Sequence, residues 1–376
     1  MQNDDSIIDE QIRRDKAFYL RYAYIEEMEK HLLAFESQLT AHGLNVRWID
    51  DEAMLCSQIN DILPNSNFNK VFFDLPHVPA ELEKSTLFNQ LSIDDVQANL
   101  EEPDLLVVKA DFGIVESGSL VFLNKKPRNY LNNVRNMVII LDIDQLIVKQ
   151  DDLPLFLSIL DNPDNPEDAL YDIKIINGKF QHLIPELFQT SDNLPFTQED
   201  VNITVFLYNN GITDIMSDSF LRQSLFCIHC GRCLQVCPAA AKMDGIAPID
   251  LVKMNCFNIP DSYHFLFSHT TLCGNCAAVC PVHIPLVDML VYEMQFENRA
   301  HPSSRNKQLN AILSKRSKMN KFDGYFLHQF FVNRFYGKNK VLKSYFSNNR
   351  TKFFNISFNN LDHNYNDDLE PEDITK

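Results

Sequence analysis

The residues best suited to chemistry are cysteines. Of nine in the chain, seven fall into two short runs. The first is Cys227-Ile-His-Cys230-Gly-Arg-Cys233-Leu-Gln-Val-Cys237-Pro238. Its spacing, C-x2-C-x2-C-x3-C-P, is the ligand pattern of bacterial two-cluster ferredoxins, whose fourth cysteine binds the other cluster. Three cysteines three residues apart can wrap three corners of one cubane, while loop amides hydrogen-bond its sulfides. On this spacing Cys237 begins a helix directed away, and Pro238 suits that helix's first turn because its missing N–H costs nothing there. The second run is Cys273-Gly-Asn-Cys276-Ala-Ala-Val-Cys280-Pro281, with Thr270 where a leading cysteine would stand. The crossed pattern assigns Cys227, Cys230, Cys233 and Cys280 to a first [4Fe–4S] cluster. Cys237, Cys273 and Cys276 supply three ligands to a second. Cys256, between the runs, is the candidate fourth ligand, with His269, a water-ligated iron or a three-iron cluster as alternatives. Zinc is the rival metal, because paired C-x2-C knuckles hold it. The third evenly spaced cysteine and the two Cys-Pro endings favour iron–sulfur.

Other residues carry weaker signals. Cys56 lies among apolar neighbours in a helical pattern and reads as a core thiol. His229, inside the ligand loop, reads as a packing or hydrogen-bonding residue. Arg232 either adds positive charge beside a cluster, favouring its reduction, or is a solvated side chain. Glu116-Ser117-Gly118-Ser119 forms a turn between two strand patterns. Glu116, Ser117 and Gly118 could offer a small molecule or partner their amides and hydroxyls, although an ordinary turn needs the same residues. Asn209 and Gly211, after a later strand, share that ambiguity.

The elements positioning these residues change character along the chain. Phe18, Tyr22, Ile25, Leu32, Phe35 and Leu39 recur at helical spacing and predict one long amphipathic helix capped by Gly43. Strand patterns follow at 45–49, 70–74, 104–110, 137–141 and 203–208, with two short strands around 114–122. Helical patterns cover 52–63 and 79–91. This alternation predicts an α/β domain with a largely parallel sheet. Residues 161–202 are rich in Pro, Asn and Asp and give no clear element. From Cys227 to Pro285 cysteine, proline and small residues replace the strand pattern, and 286–298 reads as a helix. The resulting division is an α/β domain over 1–216, a dicluster domain over 217–300, a basic, partly helical extension over 301–360 and an acidic disordered tail over 361–376.

Composition narrows the function classes. The formal net charge of −17 opposes general binding to nucleic acid or anionic membranes, which carry the same sign. Residues 301–360 nevertheless hold twelve Lys or Arg against one acidic residue, Asp323. With aromatic residues interleaved, that stretch reads as a protein-docking segment. No run of eighteen apolar residues exists, so no membrane span is expected. The N-terminus lacks the apolar core of a secretory signal. Clustered thiols in metal-ligand spacing imply a reducing, cytoplasmic setting. No G-x-G-x-x-G dinucleotide signature is present.

Four stretches together resemble the lactate utilization protein B family: ADFGIVESGSLVF (110–122), VNITVFLYNNGITDI (201–215), LFCIHCGRCLQVCP (225–238) and TLCGNCAAVCPVHIP (271–285). The resemblance implies an α/β N-terminal domain with a fold like that of 5-formyltetrahydrofolate cyclo-ligase and CoA transferases. An α-helical, bacterial-ferredoxin-like 2[4Fe–4S] domain follows it. It also implies an electron-transport subunit of a cytoplasmic oxidoreductase complex oxidising L-lactate or a related hydroxy acid to pyruvate. The implied partners are subunits like lactate utilization proteins A and C, with the substrate chemistry in a partner. The family's Asn-Glu-Gly-Asn-x-Arg stretch appears here only as Asn124-Lys-Lys-Pro-Arg128, and its Gly-Gly-His stretch is replaced by Ala-Ala-Lys-Met-Asp-Gly (240–245). These departures touch substrate or partner contacts and leave the cysteines intact. A free-standing enzyme acting on a small acid or acyl group around Glu116–Gly118 and a redox-sensing iron–sulfur protein are the alternatives.

Overall fold

The computed structural model describes residues 2–65, 68–93, 96, 102–124, 131, 134–160, 172–177, 201–240, 245–253 and 270–300. Cys256, His269, the basic extension and the acidic tail lie outside them. The chain divides into two compact units, Met1–Cys230 and Gly231–Lys376.

Within the first unit, the sheet strands are β1 (Asn45–Ile49), β2 (Lys70–Asp74), β3 (Asn89–Gln90), β4 (Leu105–Lys109), β5 (Phe112–Ile114), β6 (Ser119–Asn124), β7 (Asn136–Asp142), β8 (Leu146–Ile147), β9 (Asp172–Asn177) and β10 (Asn202–Tyr208). Six of them form a sheet in the order β1-β10-β7-β4-β2-β3, with every pairing parallel. Parallel sheets are covered on both faces, which explains the near-continuous apolar runs LLVVK and NMVIILD. On one face α3 (Glu52–Asn65) lays Leu55, Cys56, Ile59 and Leu63 against Val71, Phe73, Val107, Val138 and Phe206. Cys56 is thus a core thiol, and burial, with the Glu81 and Glu52 carboxylates, pushes it up to about 11.

A second sheet runs β8-β5-β6-β9. β5 and β6 make the antiparallel hairpin expected around the Ser–Gly turn. β9 pairs antiparallel with β6; it lies in the stretch whose Pro, Asn and Asp content hid it. Gly113 is required here, because a Cβ would stand 2.4 Å from a Leu146 methyl and 2.7 Å from the Phe35 ring.

Two helical expectations need correction. The predicted long first helix is two, α1 (Gln2–Glu26) and α2 (Met28–Ala41), separated at Glu27, whose φ of −117° and ψ of 29° leave the helical region. Their buried face carries Ala17, Arg21, Tyr24, Ile25, Met28, Leu32, Phe35 and Leu39, while Tyr22 is 45% exposed. The stripe therefore passes through a charged residue that a purely apolar pattern skips. The Gly43 cap holds: at φ +79° its N–H reaches Thr40 O at 2.9 Å while Leu44 N–H reaches Leu39 O at 3.1 Å, the paired bonds of a Schellman ending. The predicted helix over 79–91 shrinks to α4 (Ala80–Glu83), and Asn89–Gln90 join the sheet edge as β3.

In the first unit α5 (Leu153–Leu160), α6 (Ile212–Ser217) and a 3-10 turn (Leu221–Phe226) follow. The second unit is helical among its described residues: α7 (Arg232–Gln235), α8 (Pro248–Lys253), α9 (Asn275–Val279) and α10 (Leu286–Ala300). α7 packs on α9, and α8 on α10. Among the described residues no helix is long and apolar enough to cross a membrane.

Candidate metal centre

The two cysteine runs fold alike. His229 (φ +54°) precedes Cys230 and Gly231 (φ +72°) follows it; Leu272 (φ +48°) precedes Cys273 and Gly274 (φ +85°) follows it. Each run then enters a short helix, α7 after Gly231 and α9 after Gly274. Left-handed residues around a cysteine curl successive N–H groups inward, the backbone concavity that binds anions, iron–sulfur clusters among them. His229 and Leu272 hold a conformation costly for a residue with a Cβ. The same cost at equivalent positions marks a shared requirement.

Sulfur–amide contacts follow from this geometry. His229 N–H points to Cys227 Sγ at 3.4 Å, and Ile284 N–H to Cys280 Sγ at 3.4 Å. The neighbouring backbone amides of Ala239 and Ala240 pull Cys237 toward the thiolate, as that of Ala277 does for Cys276, against the larger effect of burial. Such donors favour the thiolate, the form that binds metal.

In the second unit Cys237 of the first run lies within electrostatic reach of Cys273 and Cys276 of the second. Burial, then the neighbouring Cys273 and Cys237, push the Cys276 thiol up to about 12. Burial and Cys273 also raise Cys237. Thiols that raise one another are poorly placed as bare acids, and an iron–sulfur group, with cationic iron to take up thiolate charge, removes that conflict. The donor set fits such a group. Cys273, Cys276 and Cys280 are buried, while Cys233 and Cys237 are half-buried. Among the described residues no three Cys, His, Asp or Glu side chains converge as they would around a single ion; a cubane is held from its corners. One expectation changes. Cys237 does not begin a helix: it stands just past the end of α7, and Pro238 after it opens a turn, because proline cannot continue a helix.

In the first unit the start of the first run is anchored. Arg21, 1% exposed, donates to the carbonyls of Leu146 (3.0 Å), Leu225 (2.7 Å), Phe226 (3.3 Å) and Asp144. Its ring neighbour Tyr24 lies 5.4 Å below the guanidinium and donates its hydroxyl to Ile143 O. Gln145 Nε2–H donates to Cys227 O at 3.1 Å. The backbone before and at Cys227 is thus tied to the loop after β7. Burial lowers the Arg21 pKa, opposed by the charges of Asp144, Tyr24 and Cys227.

The other sequence candidates lie elsewhere. Glu116, Ser117 and Gly118 form the β5–β6 turn beside α2. There Ser117 and Ser119 hydroxyls bond each other at 2.7 Å, and the Glu116 carboxylate accepts Gln150 N–H at 3.0 Å. Gly118, at φ +60°, lies so close to α2 that a Cβ would meet Gln38 Cβ at 2.7 Å. Asn209 Oδ1 accepts Thr213 N–H at 3.0 Å in the first turn of α6, whose N-cap is Gly211 at φ +77°. Arg232 is half-buried at the start of α7.

Residues 223–284 match the family model of the 4Fe-4S dicluster domain. Curated proteins called Lactate utilization protein B are similar over longer stretches. The one from Macrococcus caseolyticus is 25% identical over 221 residues, covering 56% of this chain and 44% of that protein. The one from Bacillus mycoides is 24% identical over 197 residues, covering 50% and 38%. The one from Bacillus cytotoxicus is 32% identical over 112 residues, covering 27% and 24%. This chain is similar to curated lactate utilization proteins B over about half its length. The matched stretches span less than half the length of these lactate utilization proteins. Among solved structures, a DUF162 family protein from Deinococcus radiodurans is similar at 13% identity and a TM-score of 0.35, covering 48% of this chain and 98% of that one.

Sequence reasoning missed Arg21 and Gln145. Arg21 was detectable as the charge at the one position where the helical stripe Ala17, Tyr24, Ile25, Met28 demands an apolar residue. Gln145 carried no comparable signal.

Proposed function

We propose that this chain is the electron-carrying iron–sulfur subunit of a cytoplasmic oxidoreductase complex that oxidises L-lactate or a related hydroxy acid to pyruvate. Its partners would be subunits like lactate utilization proteins A and C. The observation that carries the reading is the duplicated left-handed backbone around Cys230 and Cys273, with thiols from both runs drawn together. Cys227, Cys230, Cys233 and Cys280 would hold one [4Fe–4S] cluster, and Cys237, Cys273, Cys276 and Cys256 the other. Such clusters supply one-electron chemistry at potentials set by hydrogen bonds to sulfur, net charge and burial. The chain's own contribution is to hold the thiolates apart from water, aim amides of His229, Ala239, Ala240 and Ile284 at them, and fix their loops through Arg21 and Gln145. Residues 1–216, in a fold like the cyclo-ligase and CoA-transferase group, would form the scaffold, and 217–300 the carrier. The names of the relatives support the lactate reading.

Iron and sulfide content with EPR on anaerobically purified, dithionite-reduced protein tests it, for the wild type and Cys256→Ser. About eight irons and a coupled two-cluster signal are expected, with one cluster altered in the variant. About four irons, or zinc instead, refutes the dicluster carrier.

A further inference from the structure

The two cysteine runs correspond bond for bond. Gln235 N–H reaches Gly231 O at 3.2 Å, and Ala278 N–H reaches Gly274 O at 3.0 Å. Cys237 N–H reaches Leu234 O at 3.1 Å, and Cys280 N–H reaches Ala277 O at 3.3 Å. Past the helices, Ala240 N–H donates to Cys237 O at 3.2 Å and His283 N–H to Cys280 O at 3.3 Å. One constant offset along the chain relates the members of every pair, and the left-handed His229 and Leu272 obey it too. The same offset sets Thr271 against Ile228, both buried, and a half-buried Thr270 against Cys227.

The leading position of the repeat therefore differs in chemistry and not in placement. In the first run it carries the thiol of Cys227, whose sulfur receives the His229 N–H at 3.4 Å. In the second it carries a hydroxyl on the same branch point, one bond from Cβ. Iron–sulfur clusters of this kind are held by four thiolates, and a threonine hydroxyl keeps its proton and remains a donor. Cys237, Cys273 and Cys276 make three thiolates for the second cluster, and the repeat places Thr270 where the fourth would stand.

We propose that Thr270 stands at the fourth corner of the second cluster and determines its ligation. The run itself offers that iron no thiolate, so the ligand there comes from outside the run, and a thiol placed at position 270 takes the corner. This rests on the two-cluster reading and adds to it the position of the chain that faces the odd iron.

The test is Thr270→Cys made in the full chain carrying Cys256→Ser, so that no thiol between the runs competes. Thr270→Ser in the same background keeps the hydroxyl and is the control. Three quantities are followed: iron loss to a chelator, EPR of the dithionite-reduced protein, and iodoacetamide labelling read by peptide mass spectrometry. With Thr270→Cys the iron of one cluster should leave roughly threefold more slowly than in the control, or more slowly still. The g-values of one cluster should shift, and the introduced thiol should be alkylated only after iron is removed. Where the control holds about four irons, Thr270→Cys should bring the count to about eight. Iron content, iron loss and g-values equal to the control's overturn the proposal. So does an introduced thiol alkylated equally fast with and without iron. The wild type separates the two kinds of failure. About eight irons there, with either negative result, sinks only the role of Thr270; zinc or about four irons sinks the two-cluster reading and this inference with it.

Discussion

Replacing Arg21 by Met tests whether one buried side chain anchors the ligand loop. The substitution keeps length and removes every donor. Four carbonyls, those of Asp144, Leu146, Leu225 and Phe226, lose their partner. Each buried acceptor left bare costs about 1–3 kcal/mol. Removing a buried charge returns part of this, as does the apolar Met. The net expectation is a loss of about 3–5 kcal/mol, the range seen when one partner of a buried charged network is removed. With a urea m-value of about 3 kcal/mol/M, the unfolding midpoint falls by roughly 1–1.7 M. Arg21→Lys retains a charge and three N–H donors and should lose about half as much. Urea titration followed by circular dichroism reads both. Because two of the four carbonyls directly precede Cys227, iron bound to the Met variant should also be lost faster to a chelator. A midpoint shift below about 0.3 M, with unchanged iron loss, would refute the anchoring argument.

Three further outcomes are expected. Gly118→Ala forces a Cβ into Gln38 at a φ of +60°, and should destabilise by about 1–3 kcal/mol in the same titration. Cys56, its thiol pushed up to about 11 and buried on α3, should resist iodoacetamide at pH 8 until urea unfolds the chain, as read by peptide mass spectrometry. Burial and Lys30 hold His31 below its ordinary value against the opposing pull of Glu27. A base that binds protons more weakly when folded contributes stability present above its unfolded pKa, about 6.5, and lost as pH falls through the folded value. His31→Gln should flatten the decline in Tm between pH 7.5 and 5.5.

The sheet was readable because its strands are buried on both faces: KVFFD, LLVVK, MVIIL and ITVFLY each announce a strand without help from alternation. What failed was local and had tertiary causes. Residues 79–91 carry helix formers, yet Asn89–Gln90 were drawn to β2 by backbone pairing at the sheet edge. β9 hid in a stretch of breakers because its partner, β6, supplies the pairing that its neighbours do not. At the metal centre, spacing announced the seven cysteines, and the left-handed glycines Gly231 and Gly274 were implied by type. His229 and Leu272 adopt the same conformation without being residues that favour it, so only three dimensions show the full repeat.

The position of β1 bears on how the molecule is made. Its neighbour in the sheet is β10, with Asn45 opposite Thr204, about 160 residues later in the chain. At roughly 5–20 residues per second, the ribosome leaves that edge waiting for about 8–32 s before its mate emerges. Closure then precedes Cys227, where the first cysteine run begins, by only a score of residues. The nascent scaffold of the first unit is thus finished just as the Cys227 and Cys230 thiols appear, an order that limits the time in which these two meet oxidants or stray metal before the loop after β7 is there to hold their backbone.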